Sequence, residues 1–152
     1  VSVWDFPRPP RIEPVEARVR IELAGQVIAD STRAVRVCET ASPPTYYLPR
    51  ADITPGVLVA AAGTSFCEWK GRASYWSVNV GTRIVERAAW SYPSPTPAFV
   101  LLADMVAFYA RPFDACWVGD ERVIPQPGGF YGGWITPEVV GPFKGEPGTG
   151  HW

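Results

Sequence analysis

Residues 15–23 read VEARVRIEL, and the run alternates without a break. Val15, Ala17, Val19, Ile21 and Leu23 fall on one side of an extended chain, and Glu16, Arg18, Arg20 and Glu22 on the other. A helix would scatter these apolar residues around its circumference, so the pattern specifies a half-buried strand. A strand needs partners, and the sequence supplies them. Ala24-Gly25-Gln26 carries turn chemistry and Val27-Ile28-Ala29 resumes the apolar run, which makes a hairpin. Asp30-Ser31-Thr32 marks a second turn, its side-chain oxygens suited to satisfying backbone amides. Arg33 to Thr40 and Thr45 to Leu48 are two more β-rich runs, separated by Ser42-Pro43-Pro44, where proline prevents ladder pairing.

The segment Pro49 to Gly63 reads as turn or irregular structure, because prolines interrupt it and its alanine run lacks a period. In SFCEWKGRASYWSVNV, Gly71 separates a short strand from a longer aromatic one, and Gly81-Thr82 turns into RIVERAAWSY. After Thr96-Pro97, residues Ala98, Leu101, Leu102, Met105, Val106 and Tyr109 recur at helical spacing, which predicts one α-helix over about 97–110. Cys116-Trp117-Val118 and Arg122-Val123-Ile124 flank Gly119-Asp120 as a further hairpin. The expected organisation is one mainly β domain over 15–124, an extended Pro/Arg-rich arm over 1–14, and a Gly/Pro-rich tail over 125–152. That tail packs on the domain or meets a second subunit of a homo-oligomer.

Charge and cysteine usage narrow the function classes. Fourteen basic and 15 acidic residues nearly cancel, and the basic ones form no continuous phosphate track, which argues against nucleic acid as a partner. The apolar stretch around Ala98 to Ala110 is too short to span a bilayer and is broken by Asp104, so no membrane partner is expected. The opening VSVWDFPRPP resembles no signal peptide, and a soluble, cytoplasmic setting is the default expectation. Three widely spaced cysteines give neither a disulfide framework nor a metal knuckle, and the single histidine is His151. No metal or other cofactor is expected.

The ordered set ADSTRAVRVCET, TYYLPRADI, SFCEWKGRASYWSV and ERAAWSYPSP, followed by FYA, resembles the family called domain of unknown function 427. The resemblance covers about Val19 to Cys116, or to Trp134 with the GGFYGGW tail. It implies a β-tent of two antiparallel sheets, a fold shared with methionine sulfoxide reductase B and the drug-binding domain of cereblon. Zinc-bearing tents pin their sheets with two CxxC knuckles, which this chain lacks, so packing and hydrogen bonds must hold the sheets instead. A nucleotidyltransferase label sometimes given to the family is not supported, since no Gly-Ser pair precedes spaced aspartates.

Candidate site residues cluster in these motifs. Cys67, Trp69 and Lys70 precede Tyr75 on the next strand and Trp90 and Tyr92 on the one after. Alternation sends Tyr75 and Trp76 to opposite faces, puts Trp90 and Tyr92 on one face, and separates Cys67 and Trp69 from Glu68 and Lys70. Each aromatic can wall a pocket or fill a core. Tyr47, Arg50 and Lys70, with Glu39 and Arg36 nearby, place charge beside aromatics, which suits a carboxylate or phosphate; the rival reading leaves Arg50 at a turn and Lys70 in water. Cys67 is a weak catalytic candidate because no base stands beside it. The expected function is binding of a small polar or anionic molecule in an aromatic-lined pocket. The alternatives are an enzyme acting through Cys67 or Glu39, and a protein-interaction or oligomerisation module.

Overall fold

The computed structural model describes residues 2–5, 10–39, 43–67, 70–126 and 132–139. Thirteen strands are defined among them. They are β1 (Arg11–Pro14), β2 (Val19–Leu23), β3 (Gln26–Ser31), β4 (Val35–Cys38), β5 (Thr45–Pro49), β6 (Leu58–Cys67), β7 (Gly71–Val80), β8 (Arg83–Ser91), β9 (Met105–Phe108), β10 (Ala115–Val118), β11 (Glu121–Arg122), β12 (Ile124–Pro125) and β13 (Trp134–Ile135). They form a seven-stranded sheet in the order β1-β4-β5-β9-β8-β7-β6, a four-stranded sheet β11-β10-β2-β3, and the ribbon β12-β13. Every strand pairing is antiparallel. The fold is mainly β, as the sequence indicates. No helix among the described residues is long and apolar enough to cross a membrane.

The alternating run behaves as its pattern dictates. Val19, Ile21 and Leu23 are fully buried, while Arg20 and Glu22 reach the other face. Ala24 and Gly25, both with positive φ (52° and 75°), close the turn onto Gln26 and make the β2–β3 hairpin. Ser31 donates a 2.7 Å hydrogen bond to Asp52 and accepts the Arg33 N–H, so this turn triplet works structurally.

The predicted α-helix over about 97–110 is not formed. Pro97–Leu102 is a 3-10 segment kinked at Phe99, and the chain then becomes β9, the middle strand of the seven. All four β9 residues are buried because both faces of the strand are covered. Val106 and Phe108 enter one core, while Met105 and Ala107 enter another. A strand apolar on both faces has no period of two, and joined to the preceding turn it mimics a helical stripe. The segment expected to be irregular also changes: Arg50–Asp52 is a 3-10 turn, and β6 is already under way at Leu58. The proline-rich arm is drawn in as well, since β1 pairs with β4 from Arg11↔Cys38 to Pro14↔Val35.

The large sheet therefore divides the interior. Its inner face packs on the four-stranded sheet through β2, Ile28, Val78, Phe108 and Cys116. Trp134 completes this core from the far end of the described chain. It is fully buried, its ring stacks on Tyr46 at 5.1 Å, and its indole N–H donates to the Phe108 carbonyl at 2.9 Å. Truncating Trp134 to Ala removes a buried ring and a satisfied donor; a loss of about 3–5 kcal/mol in urea unfolding is expected.

Candidate functional site

The other face of the large sheet carries an aromatic cluster around Tyr47, Tyr75, Trp90 and Tyr92. Odd-numbered residues of β7 point this way: Tyr75 is buried here, while Trp76 packs on the opposite core and donates its indole N–H to Ser91 at 2.9 Å. Trp90 and Tyr92 share the face, since they stand two positions apart along an extended chain. Tyr47 lies behind them, its ring centroid 6.4 Å from each of theirs. In front opens a cavity of about 250 Å³ whose walls include Tyr75, Trp90, Tyr92, Cys67 and the pair Lys70 and Glu39.

Lys70 stands at the turn between β6 and β7, where the strand has ended, so alternation no longer separates it from Cys67 and both reach the cavity. Its side chain is only 8% exposed, and its ammonium donates to Glu39 at 2.5 Å. The ammonium also sits 5.7 Å from the Tyr92 ring centroid. Burial alone would depress the Lys70 pKa, but the Glu39 charge and Tyr92 outweigh it and hold the value above that of an ordinary lysine. Lys70 is thus neither solvated nor an open anion receptor.

Arg50 lies elsewhere. Its guanidinium stacks 4.5 Å from the Trp76 ring, on the face turned away from the cavity. Trp69 falls outside the described residues, as does Glu68. Arg36 pairs with Glu13 and Glu138 beside a separate cleft of about 480 Å³ whose lining also holds Glu16 and Glu121. That cleft is larger, but its cation is already neutralised and, among the described residues, Tyr46 is its one aromatic.

Several cavity residues were not anticipated. Tyr109 packs against Trp90 at 4.6 Å, and Ser65 hydrogen-bonds the Tyr75 hydroxyl at 2.8 Å. Gln126 and Gly132 close one side, and a Cβ on Gly132 would lie 2.1 Å from the Trp90 ring. No residue larger than glycine fits there. The glycine pairs of the tail were the available signal, and the false helical period hid Tyr109.

Two polar features define the chemistry. Among the described residues the Tyr47 hydroxyl is completely buried with no partner at full hydrogen-bonding geometry, the polar groups of Trp90 and Tyr92 lying near it without satisfying it. Burial, with the nearby carboxylate of Glu39 and despite the polar groups of Trp90 and Tyr92, keeps it protonated far above the usual phenol range. The thiols differ in kind. Burial raises Cys38 to about 11 and Cys116 to about 12, whereas Cys67 is half-buried at the cavity wall. Among the described residues no three metal-ligating side chains gather to hold an ion.

At pH 8, one cysteine, Cys67, should react readily with a thiol reagent in the native protein, and the other two only after denaturation; counting released chromophore checks this. Glu39→Gln leaves a buried ammonium unpaired and should cost about 3 kcal/mol, more than Lys70→Met, which leaves a part-exposed carboxylate. Because the folded Lys70 pKa is raised, the pair's contribution is complete below the ordinary lysine value and is lost as pH climbs through the raised one. Unfolding measured from pH 9 to 11 should show this alkaline loss reduced in Glu39→Gln.

The family model described as Domain of unknown function (DUF427) matches residues 11–119, from the first residue of β1 to just past β10. No curated protein matches the chain.

Proposed function

The chain belongs to the family described as Domain of unknown function (DUF427), and within it we propose a small-molecule-binding protein that takes a compact polar ligand in the aromatic cavity. The observation that carries this reading is the Tyr47 hydroxyl, fully buried behind Trp90 and Tyr92 and, among the described residues, without a partner at full hydrogen-bonding geometry. Leaving such a group unsatisfied costs about 1–3 kcal/mol, a cost that a packed core avoids by using phenylalanine. A tyrosine kept there suits a site whose occupant supplies the missing bond. Flat rings provide dispersion contacts, and the Lys70–Glu39 pair presents a donor and an acceptor side by side. A ligand with neighbouring acceptor and donor atoms would match that wall.

Tyr47→Phe separates this reading from a purely structural one. Without ligand, the variant should melt at or above the wild-type temperature, because only an unsatisfied hydroxyl is removed. In a thermal-shift screen of nucleotides, sugar phosphates, small carboxylates and amines, any compound that stabilises the wild type should lose about tenfold in affinity for the variant. A less stable Tyr47→Phe, together with no stabilising compound of any class, would sink the proposal.

A further inference from the structure

An edge strand turns a row of unpaired N–H and C=O groups outward, and such rows accept further strands unless charge, proline or cover blunts them. Three of the four edges of the two larger sheets are blunted. β1 carries Arg11, Glu13 and Pro14, and β11 is two charged residues. β3 is covered by the bridge from Ala29 to Ile53 and by the Thr54 N–H, which donates to the Ile28 carbonyl at 2.8 Å. β6 differs from all three. Its ten residues, LVAAAGTSFC, include no charge and no proline, and among the described residues β7 is its one ladder partner. Phe66 on this strand is 74% exposed.

The ladder to β7 breaks between Ala60 and Thr64 and leaves two regular stretches, of which Thr64–Cys67 is the longer. At the break two cations reach β6 from the strands behind it. Arg72 on β7 donates from Nη1 to Thr64 Oγ1 at 3.4 Å. Arg87 on β8 lays its guanidinium across β7, 4.2 Å from the Tyr75 ring centroid, and a Cβ on Gly63 of β6 would stand 3.3 Å from its Nη1. Gly63 and Arg87 both have left-handed backbone, at φ 93° and 49°; glycine adopts it freely, the arginine against steric resistance. Tyr75 faces the aromatic cluster, and alternation along β7 sends Arg72 to the other side. The two guanidinium groups therefore flank the edge strand from opposite sides of the sheet. Both arginines are exposed, and among the described residues neither pairs with a carboxylate.

We propose that the β6 edge is a docking site for an extended acidic segment of a partner protein, added as a further strand beside Thr64–Cys67. Main-chain hydrogen bonds hold such a segment in place, and its side chains select it. Neighbouring residues of a strand point to opposite sides, so two consecutive acidic residues would send one carboxylate to Arg72 and one to Arg87. A second copy of this chain fits the same edge poorly, because self-pairing would line up two guanidinium groups from each copy along one seam. The inference stands apart from the aromatic cavity and does not depend on its being a binding site.

Two capped octapeptides of threonine and valine serve as probes, one with a central pair of glutamates and the other with a central pair of lysines. Titrations at low salt are followed on the backbone amide signals of the whole chain. The glutamate peptide should shift the amides of Thr64 to Cys67 and bind about tenfold more tightly than the lysine peptide. Arg72→Gln and Arg87→Gln, both exchanges of exposed side chains, should melt near the wild-type temperature and each weaken the glutamate peptide about threefold; the double variant should erase the preference. Methylating alternate amide nitrogens of the peptide removes ladder donors and leaves its charge, so one of the two alternating patterns should abolish binding. Equal binding of the two peptides, or none by either, overturns the acidic partner. Binding that survives both methylation patterns overturns the added strand. A dimer of the protein alone that Phe66→Lys dissolves gives the edge to a second copy and overturns the proposal as well.

Discussion

Everything on either side of the large sheet depends on β9 being covered twice. Four consecutive residues, Met105 to Phe108, send alternate side chains into two separate apolar clusters, and the strand between them pairs with both β5 and β8. One cluster glues the sheets together; the other supports Tyr47, Trp90 and Tyr92. The candidate site is consequently built on the most constrained part of the sheet, and its aromatic floor inherits that rigidity. Only the charged wall, Lys70 at a turn and Glu39 just beyond β4, comes from places where the chain leaves the ladder.

How much of this was readable in the sequence follows from how each strand is solvated. β2 separates buried from solvent-facing residues, so its period of two was plain in the letters. β9 is buried on both faces and reads as helix, and β6 is an edge strand largely exposed on both, of which only the end from Ser65 reads as strand; neither leaves a full alternating trace. In the site, the faces of Tyr75, Trp90 and Tyr92 followed from alternation within a strand. The position of Lys70 did not, because a turn resets the phase. Arg50 was associated with the aromatics correctly in kind, but its aromatic is Trp76, on the opposite side of the sheet. The left-handed backbone at Arg87 in β8 was invisible, since nothing in ERAAWSY announces it.

The electrostatics of two charged regions differ in a way that composition conceals. Near β1 and β4, Arg11 and Arg36 are matched by Glu13 and Glu138, and the network closes on itself. At the aromatic cavity, Lys70 and Glu39 cancel where an unpaired charge would be most expensive. A near-zero net charge therefore coexists with locally paired charges at two separate places in the fold.

Trp134 has a consequence for how the chain reaches this state. β2 waits for β10, almost a hundred residues later, and the core between the sheets is closed by an indole later still, beyond the stretch that the family model matches. During synthesis from the N-terminus, the β2–β3 hairpin exists for most of elongation with Val19, Ile21 and Leu23 uncovered. Its apolar face is then a liability that the strands of the large sheet relieve as they emerge and that Trp134 closes last. The fold belongs to those whose non-local pairings set the pace of assembly, and whose nascent chains most need shielding from one another until the final turns emerge.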